Sequence, residues 1–188
     1  MKNGGITRIR VDFDNKQPLQ YIYPNSGNYI VAGDATMTAC TFFGHRDSPE
    51  AIRPRLREAI IELIEKHGVN TFYIGDKGAF DLMAKSIIRE LCNVYPQIRY
   101  SVVLAYLPKK LDEFDNRDFS DTIFPEGIET APKRYAISWR NNWMLKRSDH
   151  VICYVNHSWG GAAQFVEKAI KQGKVVVNLA DENNTSKP

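Results

Sequence analysis

Residues 38–64 have the sequence TACTFFGHRDSPEAIRPRLREAIIELI, in which an apolar run, a glycine and a polar turn precede a segment of helical spacing. The run Thr38–Phe43 has the composition of a buried strand. Apolar side chains then recur every three or four residues, as on an amphipathic helix, at Ile52, Leu56, Ile60, Leu63 and Ile64. We predict a strand, a tight turn at Gly44 and a crossover helix capped by Ser48, with Pro49 at its first position.

The same unit of strand, turn and helix recurs along the chain. Further strand candidates are Val69–Gly75, Arg99–Ala105, His150–Asn156 and Lys174–Leu179. A second helical pattern is formed by Phe80, Met83, Ala84, Ile87 and Leu91. Alternation of strands and helices is typical of a parallel sheet covered by helices. The sequence therefore predicts an α/β fold with a sheet of about five strands.

Three segments do not follow this alternation. Residues 1–37 contain short β-type runs separated by Asn, Gly and Pro, and we expect a small N-terminal β appendage outside the main domain of residues 38–182. Residues 107–131 lose all periodicity and accumulate acidic side chains, in a connection longer than most loops. Two interpretations of this insertion stay open, a lid or a solvated loop with one short helical turn. Residues 183–188 are expected to form a flexible tail.

Composition limits the class of protein. The chain has 188 residues, 43% of them apolar, with 25 Lys and Arg against 22 Asp and Glu, which is typical of one globular domain. No run of about 18 apolar residues and no apolar leader is present, so we expect a cytoplasmic protein with no membrane partner. The net charge of +3 does not indicate a nucleic-acid binder. The three cysteines are odd in number and widely spaced, which predicts reduced thiols, and no paired spacing predicts a metal site.

Candidate chemistry is concentrated where strands give way to helices, because ligands of open α/β sheets collect at the carboxyl ends of the strands. Three junctions combine glycines with polar or aromatic side chains, and their residues are Gly44, His45 and Arg46, then Gly75, Gly78 and Asp81, then His157, Trp159, Gly160 and Gly161. Neither GxGxxG nor GxxxxGK[ST] occurs, so neither a dinucleotide-binding dehydrogenase nor a P-loop NTPase is indicated. We expect an anion to fit beside these turns.

Several side chains at this edge have two possible roles. Arg140 either forms an ion pair with Asp149 or Asp81, or contacts a phosphate or carboxylate. His45 and His157 follow two strands that could be neighbours, which makes them the candidate acid–base or ligand-contacting pair. Trp159 either stacks on a base or covers the core.

These motifs together resemble the YpsA-like branch of the SLOG superfamily, which unites the DprA single-stranded-DNA-binding domain with LOG-type cytokinin-activating enzymes. The resemblance spans roughly residues 38–180 and rests on residues 41–46, 75–81, 140–144 and 160–162. It implies a Rossmann-like open sheet with helices on both faces, in which the first and fourth predicted strands are central neighbours. It also implies a nucleotide-derived ligand held by the residues of the three junctions together with Arg140 and Asn141.

The resemblance leads to three functional hypotheses. The first is binding or sensing of a nucleotide, ADP-ribose or an NAD-related molecule, with phosphate on the helix N-termini that follow Gly44 and Gly160-Gly161, and with Trp159 or Phe43 against the base. The second is an N-glycosidase, in which Asp81 or Glu167 stabilises the transition state and His45 donates a proton. LOG-type enzymes carry a Lys where this chain has Asn141, and a Glu where it has Phe165.

The third hypothesis is binding of single-stranded nucleic acid, as in DprA, through three basic side chains and exposed aromatic rings. The basic residues are Arg46, Lys77 and Arg140. Neither a cofactor nor an oligomeric state is fixed by the sequence, although exposed apolar residues on the helices make a homodimer a reasonable expectation.

Overall fold

A computed structural model describes residues 38–106 and 121–180 of the chain. The described elements, in chain order, are β1 (Ala39–Gly44), α1 (Arg53–His67), β2 (Thr71–Ile74), α2 (Ala79–Cys92), β3 (Arg99–Val103), β4 (Thr122–Ile123), α3 (Lys133–Lys146), β5 (His150–Tyr154), α4 (Gly161–Lys171) and β6 (Val175–Asn178). The predicted β appendage, the tail and residues 107–120 of the insertion lie outside the described residues.

The six strands form a single parallel sheet in the order β4-β3-β2-β1-β5-β6. Strands β2, β3 and β4 follow in order from β1 to one edge of the sheet, and β5 and β6 lie on the other side of β1. Cys40 is thus in register with Phe72 of β2 and with His150 of β5. This is a Rossmann-like α/β arrangement, and it confirms both the fold class and the neighbouring position of the first and fourth predicted strands. The crevice between the ends of β1 and β5 is the switch point at which such folds bind ligands.

Helices cover both faces of the sheet because the strand side chains alternate. Cys40 and Phe42 of β1 belong to the core beneath α1 and α2, while Phe43 belongs to the core beneath α3 and α4. Ile152 and Cys153 of β5 divide between the two cores in the same way. Strands buried on both faces are nearly continuous in apolar residues, which is why they were recognisable in the sequence.

Two local predictions differ from the structure. The insertion contains a sixth strand, β4, which pairs with β3 through Val102 and Val103. The expected Ser48 cap is wrong: Ser48 donates its hydroxyl hydrogen to the carbonyl of His45 at 2.8 Å, and a 3₁₀ turn over Glu50–Ile52 precedes α1. A serine in this position serves a turn as readily as a helix cap, because both use the same short side chain.

None of the three cysteines, all of which lie in the described ranges, forms a disulfide. Cys40 and Cys153 are buried and Cys92 is partly buried. Burial raises the pKa of the Cys40 thiol, so Cys40 remains protonated and behaves as a small apolar core residue.

Across residues 38–106 and 121–180, none of the helices has the length and apolarity needed to span a membrane.

Candidate ligand-binding site

A cavity of about 350 Å³ opens at the carboxyl end of β1, among the first residues of α2 and α4 and one side of α3. This volume lies within the range of about 300–1,000 Å³ typical of small-molecule sites. The residues that line the cavity are Phe42, Phe43, Gly44, His45, Arg46, Lys77, Asp81, Ile137, Arg140, Asn141, Met144, Gly161 and Ala162. Three separate junctions and α3 thus contribute to one concave surface at the switch point.

Arg140 is the buried cation of this cavity. Its side chain extends from α3 and is 4% exposed. The Nη1 group donates to Oδ1 of Asp76 at 3.2 Å and to the carbonyl of Val103 at 3.3 Å. The Nε group is buried and has no hydrogen-bond partner among the described residues. The guanidinium therefore forms an ion pair, as one interpretation expected, but its partner is Asp76 and neither of the expected ones. The Asp149 carboxylate accepts from the backbone N–H of Ala39, and Arg140 acts on Asp81 only through its charge.

Asp81 lies in the first turn of α2 and is 7% exposed. One of its oxygens accepts a hydrogen bond from the backbone N–H of Lys77 at 3.1 Å. Burial raises the pKa of Asp81 to about 6, against the opposing effect of the Arg140 charge and the Lys77 hydrogen bond. This carboxyl group can therefore exchange a proton near neutral pH, which is the property required of a general acid or base.

Gly75 allows these two side chains to come together. A Cβ atom at this position would lie 2.9 Å from Cγ of Asp81, and closer still to an Asp81 oxygen and to Nη1 of Arg140. The glycine at the end of β2 is thus required by the approach of a carboxylate and a guanidinium to the backbone.

Three rings form a continuous stack beside the cavity. The ring centroids of His45 and His157 lie 3.7 Å apart with an interplanar angle of 22°, and those of His157 and Trp159 lie 3.9 Å apart at 14°. Nδ1 of His157 lies 2.9 Å from the carbonyl oxygen of Trp159, which fixes the ring relative to its own loop. Trp159 is 71% exposed, so the outer face of the stack is open to solvent. We call these three residues the ring column.

The inner member of the ring column contributes to the cavity. Nε2 of His45 is buried and has no hydrogen-bond partner among the described residues. Burial first, and then the neighbouring charge of His157, lower the pKa of His45, while Asp47 opposes this effect. A neutral imidazole with an unpaired nitrogen suits ligand contact better than donation of a proton at neutral pH.

The helix N-termini differ in what occupies them. The backbone N–H of Ala79, at the start of α2, donates to the carbonyl of Arg46 at 2.9 Å, and the Asp81 carboxylate lies against the same turn. Like α2, α4 has no side-chain cap, and a Cβ atom built at its first residue, Gly161, would have no neighbour within 4 Å. A helix of this kind presents free N–H groups and a partial positive charge to an anion. The N-terminus of α4 is thus uncapped and open to a ligand at this edge of the sheet.

The N-terminus of α1 does not reach the site, contrary to the expectation that phosphate could rest on the helix after Gly44. The helix begins at Arg53, after a turn and the 3₁₀ segment, and none of its residues lines the cavity. The sequence pattern predicts a polar turn that leads directly into the helix, but Pro49 adopts an extended conformation and the helix begins later.

The structure brings together most of the expected site residues but not all of them. Gly75, Gly78, Trp159 and Gly160 border the site without lining the cavity. Gly78 and Gly160 precede α2 and α4 with φ angles of 103° and 94°, which favour glycine.

Two residues predicted as alternatives lie elsewhere. Glu167 is on an exposed part of α4 and pairs with Lys171 at 2.5 Å, and this hydrogen bond lowers the pKa of Glu167. Phe43 lines the cavity but its ring stacks on Phe165 in the core, with centroids 5.4 Å apart. Neither side chain is placed to play the role considered for it.

Sequence reasoning missed Asp76 as the partner of Arg140. Asp76 lies two residues after the end of β2 and is part of the glycine-containing junction, so its position at the carboxyl edge was a usable signal. Within the described ranges, no group of three His, Cys, Asp or Glu side chains comes together as metal ligands do.

Comparison with models of known protein families and with curated proteins finds no match for this sequence. Among solved structures, the chain is similar to DNA processing protein A (DprA) from Streptococcus pneumoniae, with a TM-score of 0.55 and 14% sequence identity. The alignment covers 77% of this chain and 50% of the DprA chain, so the protein spans about half the length of that neighbour. The likeness shows a shared Rossmann-like fold.

Replacing Asp81 with asparagine is expected to change how stability depends on pH. In the folded protein the Asp81 pKa rises from its ordinary value of 3.8 to about 6. The folded state therefore binds a proton more readily than the unfolded state, and this stabilises wild-type protein as the pH falls through 6 toward 3.8. The rise corresponds to about 3 kcal/mol.

The test compares chemical denaturation of wild type and Asp81→Asn from about pH 7 to about pH 4, a range chosen to span the two Asp81 pKa values. The free energy of unfolding of wild type minus that of the variant should rise as the pH is lowered. A difference that stays constant over this range would show that the pKa of Asp81 in the folded protein is not raised.

Proposed function

We propose that this protein binds a nucleotide-derived ligand such as a nucleotide, ADP-ribose or an NAD-related molecule. The observation that carries the proposal is the buried guanidinium of Arg140 in a cavity at the switch point, with an Nε group that no described residue satisfies. Arg46 and Lys77 add two further cationic side chains to the lining. A phosphate group of the ligand would bind between these cations and the open N-terminus of α4.

The resemblance to YpsA-like SLOG proteins supports the same proposal from the sequence. The ligand-binding set comprises Gly44, His45, Arg46, Asp81, Arg140, Asn141 and Gly161 of the cavity, with Gly75, Gly78, Gly160 and Trp159 at its border. In this set the glycines allow close approach of backbone, and Asn141 offers an amide to the sugar or phosphate.

Calorimetric titration with ribose 5-phosphate, AMP, ADP-ribose and NAD tests the proposal. At least one of these ligands should bind and raise the melting temperature, since a ligand specific for the folded state stabilises it. Arg46 is exposed at the cavity, so Arg46→Ala should weaken binding about tenfold, as expected for loss of one charge-assisted hydrogen bond.

The matched control is Arg57→Ala, which removes the same charge from α1, where Arg57 pairs with Glu90 at 2.8 Å outside the cavity. This variant should bind as wild type does. Absence of binding for all four ligands at millimolar concentration contradicts the proposal.

A second candidate function is cleavage of an N-glycosidic bond in the bound nucleotide. Asp81 favours it, because its carboxyl group lies in the cavity with a pKa of about 6. Such a group can stabilise positive charge that develops on the sugar. Chromatography of AMP incubated with the protein should then show free adenine, and Asp81→Asn should abolish its release while binding persists.

Binding of single-stranded nucleic acid is the third candidate, and the fold shared with a DNA processing protein supports it. It predicts that an oligonucleotide binds more tightly than AMP and that affinity falls steeply with salt. Fluorescence anisotropy with a labelled oligonucleotide at two salt concentrations separates this function from binding of a small nucleotide.

A further inference from the structure

We propose that the ring column is a base-stacking subsite outside the cavity, and that it discriminates among nucleotides by the area of the base. This inference rests on the proposed function, in which the phosphate of the ligand binds in the cavity. It identifies the part of the site that would hold the base. It also predicts the order of affinity among nucleotides that follows from stacking on the ring column.

The exposure of Trp159 has no explanation in the packing of the fold. A large aromatic side chain is normally withdrawn from water, yet this indole is 71% exposed and belongs to none of the described core clusters. One face of the ring rests on His157 and the other face is open. A flat apolar surface held in this way is a platform on which another ring can stack.

The platform is held in place before any ligand arrives. His157 stacks on His45 as well as on Trp159, and its Nδ1 lies 2.9 Å from the Trp159 carbonyl oxygen. His45 in turn is anchored to the sheet, because its backbone N–H donates to the carbonyl of Tyr154. Since little side-chain freedom remains to be lost on binding, a base that stacks on this platform keeps most of the interaction energy.

The ring column is next to the proposed phosphate site. Trp159 precedes Gly160 and Gly161, which open α4, and His45 lines the cavity. A ligand with its phosphate at the N-terminus of α4 therefore has its base close to the indole. Stacking requires only a π face, so the subsite favours purines over pyrimidines by area.

The experiment is a calorimetric comparison of ribose 5-phosphate, AMP, GMP, CMP and UMP. The affinity for ribose 5-phosphate measures the contribution of the cavity alone. The additional affinity of each nucleotide measures the contribution of its base. We expect AMP and GMP to bind at least about tenfold more tightly than ribose 5-phosphate. The affinities of CMP and UMP should lie between those of the purine nucleotides and that of ribose 5-phosphate. Trp159→Ala should reduce the affinity for all four nucleotides to that for ribose 5-phosphate. The affinity for ribose 5-phosphate itself should change less than about twofold.

His157 is a positioning residue in this scheme, and it does not line the cavity. His157→Ala should also remove the preference for nucleotides, whereas His157→Phe, which keeps a ring between its neighbours, should retain it. Leu82→Ala is the control, because Leu82 is an apolar side chain of α2 that is 65% exposed and lies outside the cavity lining.

The outcomes separate this inference from the proposed function. If ribose 5-phosphate binds but the base adds no affinity, or if Trp159→Ala keeps the base preference, the ring column is not a base subsite, while the phosphate site stands. If ribose 5-phosphate and the nucleotides all fail to bind, the proposed function and this inference fall together.

Discussion

Replacing Arg140 with methionine is expected to lower the free energy of unfolding by about 3–5 kcal/mol, the cost of removing one partner from a buried ion pair. The guanidinium is nearly inaccessible to solvent, it pairs with Asp76, and its charge acts on the buried carboxyl group of Asp81. Without it, Asp76 keeps Lys77 as an ion-pair partner but loses its buried one, and Asp81 loses the positive charge that favours its ionised form. Urea denaturation followed by circular dichroism measures this loss.

A control at the C-terminal end of α3 distinguishes this effect from a general intolerance of substitution in this part of the chain. Arg147, immediately after α3, is exposed and rests on the ring of Trp143 at 4.0 Å. Arg147→Met should change stability by less than about 1 kcal/mol.

Arg140→Lys retains the charge but not the planar set of donors, so its stability should lie between those of wild type and Arg140→Met. If Arg140→Met unfolds at the same urea concentration as Arg147→Met, the buried cluster is not a stabilising ion pair.

Gly44→Ala is the second substitution with a large expected effect. A Cβ atom on Gly44 would lie 2.5 Å from Cδ1 and 2.6 Å from Cβ of Phe80. Phe80 is 1% exposed and packs against Phe42, so its ring has little room to move. Overpacking of a core in this way costs about 1–3 kcal/mol and sometimes more.

Gly161→Ala provides the matched comparison at the same edge of the sheet. A Cβ atom at Gly161 has no neighbour within 4 Å, and we expect a change in unfolding free energy within about 0.5 kcal/mol. Equal melting temperatures for the two alanine variants, measured by calorimetry, would contradict the assigned contact between β1 and α2.

The central strands of the sheet were predictable because they are buried on both sides. The run Thr38–Phe43 contains only apolar residues and threonine, and this signal does not depend on the identity of the partner strand. The two residues of β4 carry no such signal: Thr122 and Ile123 are only partly buried. Their pairing depends on the neighbouring edge of β3, which a local pattern does not contain.

The site was predictable as a set of junctions but not as a set of contacts. Parallel strands bring their carboxyl ends to one edge, so Gly44, Asp81 and Gly161 could be placed together from chain order alone. The pairing of Arg140 with Asp76 joins residues 64 positions apart and is decided by side-chain geometry. The expected homodimer, the cytoplasmic location and the β appendage over residues 1–37 stay predictions.

The position of β1 between β2 and β5 has a consequence for biosynthesis. Ala39 and Asp149, which meet by a backbone-to-carboxylate hydrogen bond at this seam, are 110 positions apart in the chain. As the chain leaves the ribosome, β1 can pair with β2 early, but its other side stays an open apolar edge until β5 emerges. An open edge of this kind is a template for pairing with other chains. We therefore expect a nascent chain that ends between β3 and β5 to aggregate more readily than one in which β5 has emerged.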